Sequence, residues 1–128
     1  MNLLLDTCTF LWYVTGDNSL SATAGVLISD PNNTSYVSIA TIWEMAIKSR
    51  TGKLEIPSPF AQFIDTALLS NSFRIRNISI SHLKRVADLP LIHRDPFDRL
   101  LIAQSQVEGL PVITNDAAFN RYQVQRIW

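Results

Sequence analysis

The sequence predicts an α/β fold, a three-layer α/β/α sandwich around a central, mainly parallel sheet of about four to five strands. Short apolar runs such as Leu3–Leu5 have the pattern of strands that are buried on both faces of a parallel sheet. These runs alternate with segments of helical periodicity, and parallel neighbours need such crossover connections. With 128 residues and 47% hydrophobic content, the chain is long enough for one core and too short for two ordinary domains. We therefore expect a single domain over residues 1–128.

The amino-terminal elements are expected to be one strand and two helices. The first strand ends at Asp6, and Thr7 is placed to cap the helix that follows it. This helix carries the consecutive apolar residues Phe10–Val14, and residues 16–19 supply turn chemistry where it ends. A second helix is expected from about Ser21 to Ile28.

The middle of the chain is expected to hold a second strand, two further helices and a third strand. The short strand Tyr36–Ser38 leads into a helix that runs to Arg50, because its apolar residues recur at helical spacing and Thr51–Gly52 provide a stop. The next helix, from about Ser58 to Leu69, carries its apolar residues on one side. Residues Arg74–Ile78 then have a strand-like pattern.

The last third of the chain is expected to contain two helices before a final group of short elements. Ser81 opens a helix to Val86, and residues 91–96 form a loop before the strong helical run Phe97–Val107. Gly109 ends that helix, because glycine adopts the left-handed conformation of a C-cap at little steric cost. Three short elements complete the sequence: a fourth, buried strand at Pro111–Thr114, a brief helix at Ala117–Phe119 and an edge strand at Gln123–Ile127.

The composition argues against several classes of protein. Eleven basic and eleven acidic residues give zero formal net charge, so any nucleic-acid site must be local rather than a property of bulk charge. The single cysteine, Cys8, has no partner for an internal disulfide, and we expect neither a secretory leader nor a membrane span. The sequence therefore predicts a cytoplasmic protein.

Four acidic residues stand beside buried strands or helices, where solvated surface charge is not the default. Asp6 follows the first strand and Asp116 follows the fourth, so both emerge at one edge of the sheet if these strands are neighbours. Glu44 lies about one turn into the helix after the second strand, and Asp98 opens the helix before the fourth. We expect the four carboxylates to face one another at this edge.

Each acid also has a simpler explanation. Asp6 could only cap a helix and Asp116 only begin a turn, whereas Glu44 could sit on a solvated stripe and Asp98 could complement a helix dipole. These alternatives stay open for each residue alone, and the joint placement is what favours a shared site. Clustered carboxylates repel one another, so a hard divalent cation is the simplest compensation. Because the ligands are oxygens without a His or Cys cluster, Mg²⁺ or Mn²⁺ is predicted rather than zinc.

Four motifs follow one another along the chain: Leu3–Thr7, Trp43-Glu44 after the strand that contains Ser38, His93–Arg99 followed by Leu100–Gln104, and Thr114–Asp116. Taken in this order, they resemble the motifs of the PIN-domain family, and within it those of the VapC-like toxin ribonucleases of type II toxin-antitoxin modules. The resemblance covers essentially the whole chain as one PIN-like domain. Two positions depart from the pattern, since Cys8 stands where histidine is frequent in this branch and Thr41 where serine often precedes the Trp-Glu pair.

The resemblance implies a metal-dependent endoribonuclease, with tRNA or another structured RNA as the substrate. The residues of the implied metal pocket, which would hold one or two Mg²⁺ or Mn²⁺ ions, are Asp6, Glu44, Asp98 and Asp116. Asp95 competes with Asp98 for this role, but Asp95 precedes Pro96, where helical conformation is disfavoured, so we assign Asp95 to the loop.

Further residues are expected around the metal ligands. Thr7, Thr114 and Asp95 are candidates for orienting a water or a carboxylate. For His93 we expect a hydrogen-bonding role in its loop rather than catalysis. RNA phosphates would be contacted by basic residues near the acids, and the candidates are Lys48, Arg50, Lys53, Arg94 and Arg99. For each of these the alternative is an ordinary solvated side chain, and for the aromatic residues Trp12, Tyr13 and Trp43 the alternative to base stacking is a place in the core.

A partner surface is expected at the first helix. Residues Phe10–Val14 are consecutive, so a helix cannot bury all of them against one core. In VapC-like proteins such surface receives the cognate antitoxin, and the toxins commonly pair as homodimers, so the resemblance implies both partners.

Two other classes of function compete with a nuclease. A phosphatase of the haloacid dehalogenase type needs a second aspartate two residues after Asp6, where Cys8 stands. A non-catalytic PIN-like binding module would be expected to lack one or more of the four acids, and none is missing.

Overall fold

The computed structural model describes residues 1–128 as five strands and six α-helices, with one 3₁₀ helix. The strands are β1 (Asn2–Leu5), β2 (Thr34–Ser38), β3 (Arg74–Arg76), β4 (Val112–Ile113) and β5 (Arg126–Ile127). The helices are α1 (Thr7–Thr15), α2 (Ala22–Ser29), α3 (Ile39–Thr51), α4 (Phe60–Ser70), α5 (Ile80–Asp88) and α6 (Pro96–Glu108), and the 3₁₀ helix is Ala117–Arg121. None of the helices combines the length and apolarity that crossing a bilayer requires.

All five strands form one parallel sheet in the order β3-β2-β1-β4-β5. The central strand β1 pairs with β2 on one side and with β4 on the other, and Leu4 lies opposite both Tyr36 and Val112. The chain therefore winds outwards from β1 to β3 in one direction, and then crosses back to β4 and β5. Parallel sheets bind ligands at the carboxyl edge where the winding direction changes, which here is the crevice between β1 and β4.

The core lies on both faces of the sheet, as the predicted three-layer arrangement requires. Leu3 and Leu5 point to one face and belong to an apolar cluster with Phe10 of α1 and Ile64 of α4. Leu4 points to the other face, because side chains alternate along a strand. Its cluster includes Leu101, Ile102 and Ala103 of α6 together with Phe119. The predicted fold class is thus confirmed.

Several helices begin at residues other than those expected. Asp6, rather than Thr7, is the N-cap of α1, and its side chain accepts from the Thr9 backbone N–H. Helix α5 begins at Ile80 and not at Ser81, because Ser79 is the N-cap and His82 completes a reciprocal capping box with it. Helix α4 begins at Phe60 rather than Ser58.

The start of α6 is set by Asp95 and Pro96. The Asp95 carboxylate accepts from the backbone N–H groups of Phe97 and Asp98, and Pro96 occupies the first helical position, where its missing N–H costs no hydrogen bond. Helix α6 therefore begins one residue before the predicted Phe97, and Asp98 lies within its first turn. The strands differ from the prediction in both directions: β1 and β2 begin earlier, at Asn2 and Thr34, whereas the last three are shorter, since β3 ends at Arg76, β4 is Val112–Ile113 and β5 is Arg126–Ile127.

Candidate metal centre

Asp6 occupies the centre of the carboxyl edge, directly after β1. Its Oδ1 accepts from the Thr9 backbone N–H at 2.9 Å, and its Oδ2 accepts from the Thr114 hydroxyl at 2.6 Å. Only 6% of the residue is exposed. Burial raises the pKa of Asp6, and the hydrogen bonds from Thr114 and Thr9 partly oppose this rise. Asp6 thus offers a dehydrated carboxylate with a fixed orientation.

Asp116 faces the same crevice from the other strand, two residues after Thr114. Its backbone N–H donates to the Thr114 hydroxyl oxygen at 3.0 Å, and its Oδ1 accepts from the Ala118 N–H at 2.9 Å as the cap of the 3₁₀ helix. The Thr114 hydroxyl therefore connects the two acids, since it accepts from Asp116 and donates to Asp6. The charge of Asp116 also raises the pKa of Asp6.

Glu44 is buried on α3 with both carboxylate oxygens held by neighbours. Its Oε1 accepts from the Thr7 hydroxyl, and its Oε2 forms an ion pair with the Lys48 ammonium one turn further along the helix. This contact with Glu44 raises the pKa of Lys48. Thr7 thus lies against a predicted ligand although it is not the helix cap.

Asp98, in the first turn of α6, lies in a strongly perturbing environment. Burial raises the pKa of its carboxyl to about 7, and the charges of Asp95, Asp6 and Glu44 act in the same direction. The neighbouring His93 lowers it in part. Because Asp6 and Glu44 act on Asp98, these three predicted ligands share one electrostatic environment. Asp95 contributes a nearby charge while its carboxylate caps α6.

His93 is the functional candidate that sequence reasoning underestimated. Its Nε2 lies 2.9 Å from Asp116 Oδ2 and 3.1 Å from Asp98 Oδ2, so the ring bridges two of the predicted metal ligands. One ligand atom from each of these three residues lies within 4.8 Å of the others. The available signal was the position of His93, five residues before Asp98 in the same short segment. The path of that loop, which turns the ring towards Asp98, had no signature in the sequence.

The donor set of this edge fits a hard divalent cation. Asp6 is buried and Asp98 is largely so, and burial penalises the charged forms of these two carboxylates until a cation compensates them. The carboxylate oxygens are the ligand type of Mg²⁺ and Mn²⁺. Cys8 lies nearby, and burial and the charge of Asp6 raise the pKa of its thiol to about 11, so the thiol is protonated in the metal-free protein.

The basic candidates divide into two groups. Arg99 is buried, and its guanidinium donates to the backbone carbonyls of Pro90, Val86 and Leu89 at 2.8 to 3.2 Å. Arg99 therefore holds the loop before α6 and is not available to an RNA phosphate, which corrects the expectation for this residue. Arg50, Lys53 and Arg94 are exposed, whereas Lys48 is partly exposed and paired with Glu44.

The aromatic candidates lie in different surroundings. Tyr13 packs its ring against Phe73, and Trp12 packs against Trp128. Trp43 is 55% exposed and meets Phe97 edge-on with ring centroids 5.0 Å apart.

The first helix keeps part of its apolar surface accessible, as expected. Phe10 and Leu11 are buried, whereas Trp12, Tyr13 and Val14 are only partly buried. Two grooves of about 390 and 610 Å³ adjoin this helix and share Pro57 in their walls.

A parallel sheet with buried carboxylates at the point where its winding reverses defines an α/β protein equipped to hold a cation through oxygen ligands. The family model of the PIN domain matches residues 3–125, so the chain belongs to the PIN domain family. Proteins of this family are generally nucleases. No curated protein sequence matches the chain significantly.

The fold is similar to those of several solved structures. A chain of the VapBC2 structure from Rickettsia felis superposes with a TM-score of 0.73 at 17% identity, covering 99% of this chain and 98% of that one. The FitAcB structure from Neisseria gonorrhoeae gives 0.66 at 17% identity, covering 100% and 97%. VapBC-1 from nontypeable Haemophilus influenzae gives 0.66 at 16% identity, covering 99% and 97%. At these identities the likeness establishes the fold.

Proposed function

We propose that the protein is a metal-dependent endoribonuclease that hydrolyses RNA phosphodiester bonds at the crevice between β1 and β4. The observation that carries the proposal is the environment of Asp6, a buried carboxylate at the switch point of the sheet that Thr114 orients towards the other acids. A buried group with a strongly perturbed pKa in a cleft is a marker of functional sites, and here Asp98 has the same character.

In this proposal Asp6, Asp98, Asp116 and Glu44 hold one or two Mg²⁺ or Mn²⁺ ions. A metal ion bound there would lower the pKa of a coordinated water and neutralise charge on the phosphoryl and leaving oxygens. The residues of the chain supply the orientation: Thr114 fixes Asp6, and the Thr7 hydroxyl fixes Glu44. Oriented donors of this kind reduce the reorganisation that ion binding requires.

The proposed substrate is RNA, with tRNA or another structured RNA as the expected form, encountered in the cytoplasm. The net charge of zero gives no long-range attraction, so the affinity must come from individual basic side chains near the acids. The exposed side chains of Arg50, Lys53 and Arg94 are the candidates, and Lys48 joins them from its place beside Glu44. Such phosphate contacts position the strand without reading its sequence.

We further propose that the protein is the toxin of a toxin-antitoxin module and acts as a homodimer. Support for the toxin role comes from the fold, since VapBC2 from Rickettsia felis and VapBC-1 from Haemophilus influenzae are similar structures. The partly exposed apolar residues of α1 and the two grooves beside it offer a surface for the antitoxin.

The test is cleavage of end-labelled RNA by the purified protein in EDTA, and then with Mn²⁺ or Mg²⁺ restored. Wild-type protein should cleave only with the ion, and Asp6→Asn should lose cleavage by at least about 100-fold because it removes a ligand charge. Asp65→Asn is the matched control, since Asp65 is an exposed acid on α4 and its side chain forms neither a hydrogen bond nor an ion pair. Full cleavage in EDTA would refute the metal mechanism. RNA binding without any cleavage would favour the alternative, a non-catalytic PIN-like module.

A further inference from the structure

We propose that His93 is a positioning residue of this metal centre, which donates its Nε2–H to Asp116, lies directly beside Asp98 and does not coordinate the ion itself. The inference rests on the proposed metal site and adds a residue to it. The three side chains come from separate places: the loop before α6, the first turn of α6 and the segment after β4. His93 is thus able to fix the separation of two ligands that the backbone alone leaves independent.

The hydrogen bond at the other ring nitrogen identifies the tautomer. His93 Nδ1 lies 3.2 Å from the Asp95 backbone nitrogen, which is an N–H donor. Nδ1 must therefore present its lone pair, and in a neutral imidazole the ring proton then belongs to Nε2. Nε2 lies 2.9 Å from Asp116 Oδ2 and 3.1 Å from Asp98 Oδ2, and both oxygens are acceptors. The ring consequently donates to Asp116 and keeps the Asp98 carboxylate within 3.1 Å of the same nitrogen.

This arrangement is the reverse of that in histidine-ligated metal sites. A ligating histidine binds the metal through one nitrogen and donates the N–H of the other to a carbonyl or a carboxylate. In this protein the second nitrogen, Nδ1, faces a donor, so Nε2 has no free lone pair for a metal. The ion would therefore meet oxygen ligands only, which agrees with Mg²⁺ or Mn²⁺ and disagrees with zinc.

Hydrogen bonds within the loop that precedes α6 hold the His93 ring in position. The His93 backbone N–H donates to the Tyr122 hydroxyl at 2.7 Å, and that hydroxyl donates to the Pro90 carbonyl at 2.9 Å. Arg99 donates to the same Pro90 carbonyl at 2.8 Å. The ring itself meets Phe119 edge-on at 6.0 Å between centroids. The Nε2–H donor is thus held in place in the metal-free protein, and it can keep the carboxylates of Asp98 and Asp116 close together before an ion binds.

The first experiment reads the tautomer directly. Nitrogen-15 NMR of the histidine rings in metal-free wild-type protein should show His93 protonated at Nε2, and a proton on Nδ1 would overturn the inference. Pulsed EPR of wild-type protein loaded with Mn²⁺ should show no directly bound imidazole nitrogen. A directly coordinated nitrogen would make His93 a ligand and would equally overturn the inference. Both measurements use the intact protein, so neither depends on a variant that folds.

The second experiment separates the effect of the Nε2–H donor on metal binding from the effect of the packing of the ring. His93→Phe keeps a ring against Phe119 but has no N–H, whereas His93→Gln keeps an N–H near the position of Nε2. Calorimetric Mn²⁺ titration should show roughly 10- to 100-fold weaker binding for His93→Phe, as for other residues that orient metal ligands, and close to wild-type binding for His93→Gln. Thermal melting of the metal-free proteins monitors folding, and a merely structural role would make affinity follow stability in both variants.

The outcomes separate this inference from the proposed function. Wild-type protein that binds no Mn²⁺ would refute the metal-dependent function, and the inference with it. Wild-type and His93→Phe proteins with equal Mn²⁺ affinity would refute the role of His93 alone and would leave the nuclease proposal standing. Weak binding by His93→Phe with recovery in His93→Gln would support both.

Discussion

The Thr114 hydroxyl donates to Asp6 Oδ2 at 2.6 Å, which joins two residues 108 positions apart in the chain. The contact exists because β1 and β4 are adjacent and parallel, with Leu5 opposite Ile113, so that the residues after each strand emerge together. The same hydroxyl accepts from the Asp116 backbone N–H. One side chain therefore sets the relative placement of the acids at the end of both central strands.

Replacing Thr114 with valine tests this connection. Valine keeps the shape of threonine but leaves a buried Asp6 oxygen without its donor, a change that typically costs about 1–3 kcal/mol. We expect a free energy of unfolding lower by that amount and roughly 10- to 100-fold weaker Mn²⁺ binding. Chemical denaturation and calorimetry provide the two measurements. Thr114→Ser keeps the hydroxyl and serves as the control, and a Thr114→Val protein that binds Mn²⁺ like wild type would contradict the prediction.

A second prediction concerns stability and pH. Burial raises the pKa of Asp98 from its ordinary value of 3.8 to about 7. Between these values the folded protein holds a proton that the unfolded chain releases, so stability falls as pH rises through this window and levels off above it. The decline should be on the order of a few kcal/mol. Urea unfolding in EDTA at pH 5 and pH 8 measures it.

Asp98→Asn is the control for the pH prediction, because asparagine does not titrate. Its stability should decline less than that of wild type over the same interval, and the difference between the two proteins isolates Asp98 from other buried acids such as Asp6, whose pKa is also raised. An identical decline of stability in both proteins would show that the pKa of Asp98 is not raised in the folded state.

Features that depend on a local stretch of sequence could be predicted for this molecule, whereas features that depend on contacts between distant residues could not. The parallel sheet and the positions of Asp6 and Asp116 were predictable, because a buried parallel strand is a short apolar run and the residue after it lies at the carboxyl edge. For the N-cap of α1 the sequence offered both Thr7 and Asp6, and the cap is Asp6. Both residue types cap helices, and only the three-dimensional contacts distinguish them.

The roles of His93 and Arg99 could not be predicted from the sequence. Both belong to the segment around the start of α6, and the roles of both depend on the path of the loop that precedes it. The ring of His93 reaches Asp98 and Asp116 because the Tyr122 hydroxyl holds the loop. The guanidinium of Arg99 is turned inwards by the carbonyls of the same loop, although its place in the sequence resembles that of a surface cation. Such long-range contacts leave no local pattern.

The structural role assigned to Arg99 predicts an effect on stability. Arg99→Lys removes the planar guanidinium that reaches several backbone carbonyls at once, and leaves some of them buried without a donor. We expect a loss of about 2–4 kcal/mol in the free energy of unfolding. Arg94→Lys is the matched control at an exposed position and should change stability by less than about 0.5 kcal/mol. Equal stability of the two variants would contradict the assigned role of Arg99.

Removing the charge of Lys48 is predicted to strengthen Mn²⁺ binding and to weaken RNA binding. Its ammonium is the counter-ion of Glu44 in the metal-free protein, so it competes with a cation for the same carboxylate. Lys48→Met keeps most of the aliphatic stem and removes the charge. We expect Mn²⁺ to bind several-fold more tightly, a modest change because the ammonium is partly exposed and partly screened by solvent.

The RNA affinity of the same variant should fall, since a phosphate contact of the proposed site is lost. The slope of the logarithm of the RNA-binding constant against the logarithm of salt concentration should decrease in magnitude by about one, the value for one released counter-ion. Lys53→Met is the matched control, because Lys53 is exposed and has no ion pair with an acid of the pocket. It should lower the salt dependence in the same way while leaving the Mn²⁺ affinity unchanged. A Lys48→Met protein with weaker Mn²⁺ binding would show that the ammonium orients Glu44 for the ion and does not compete with it.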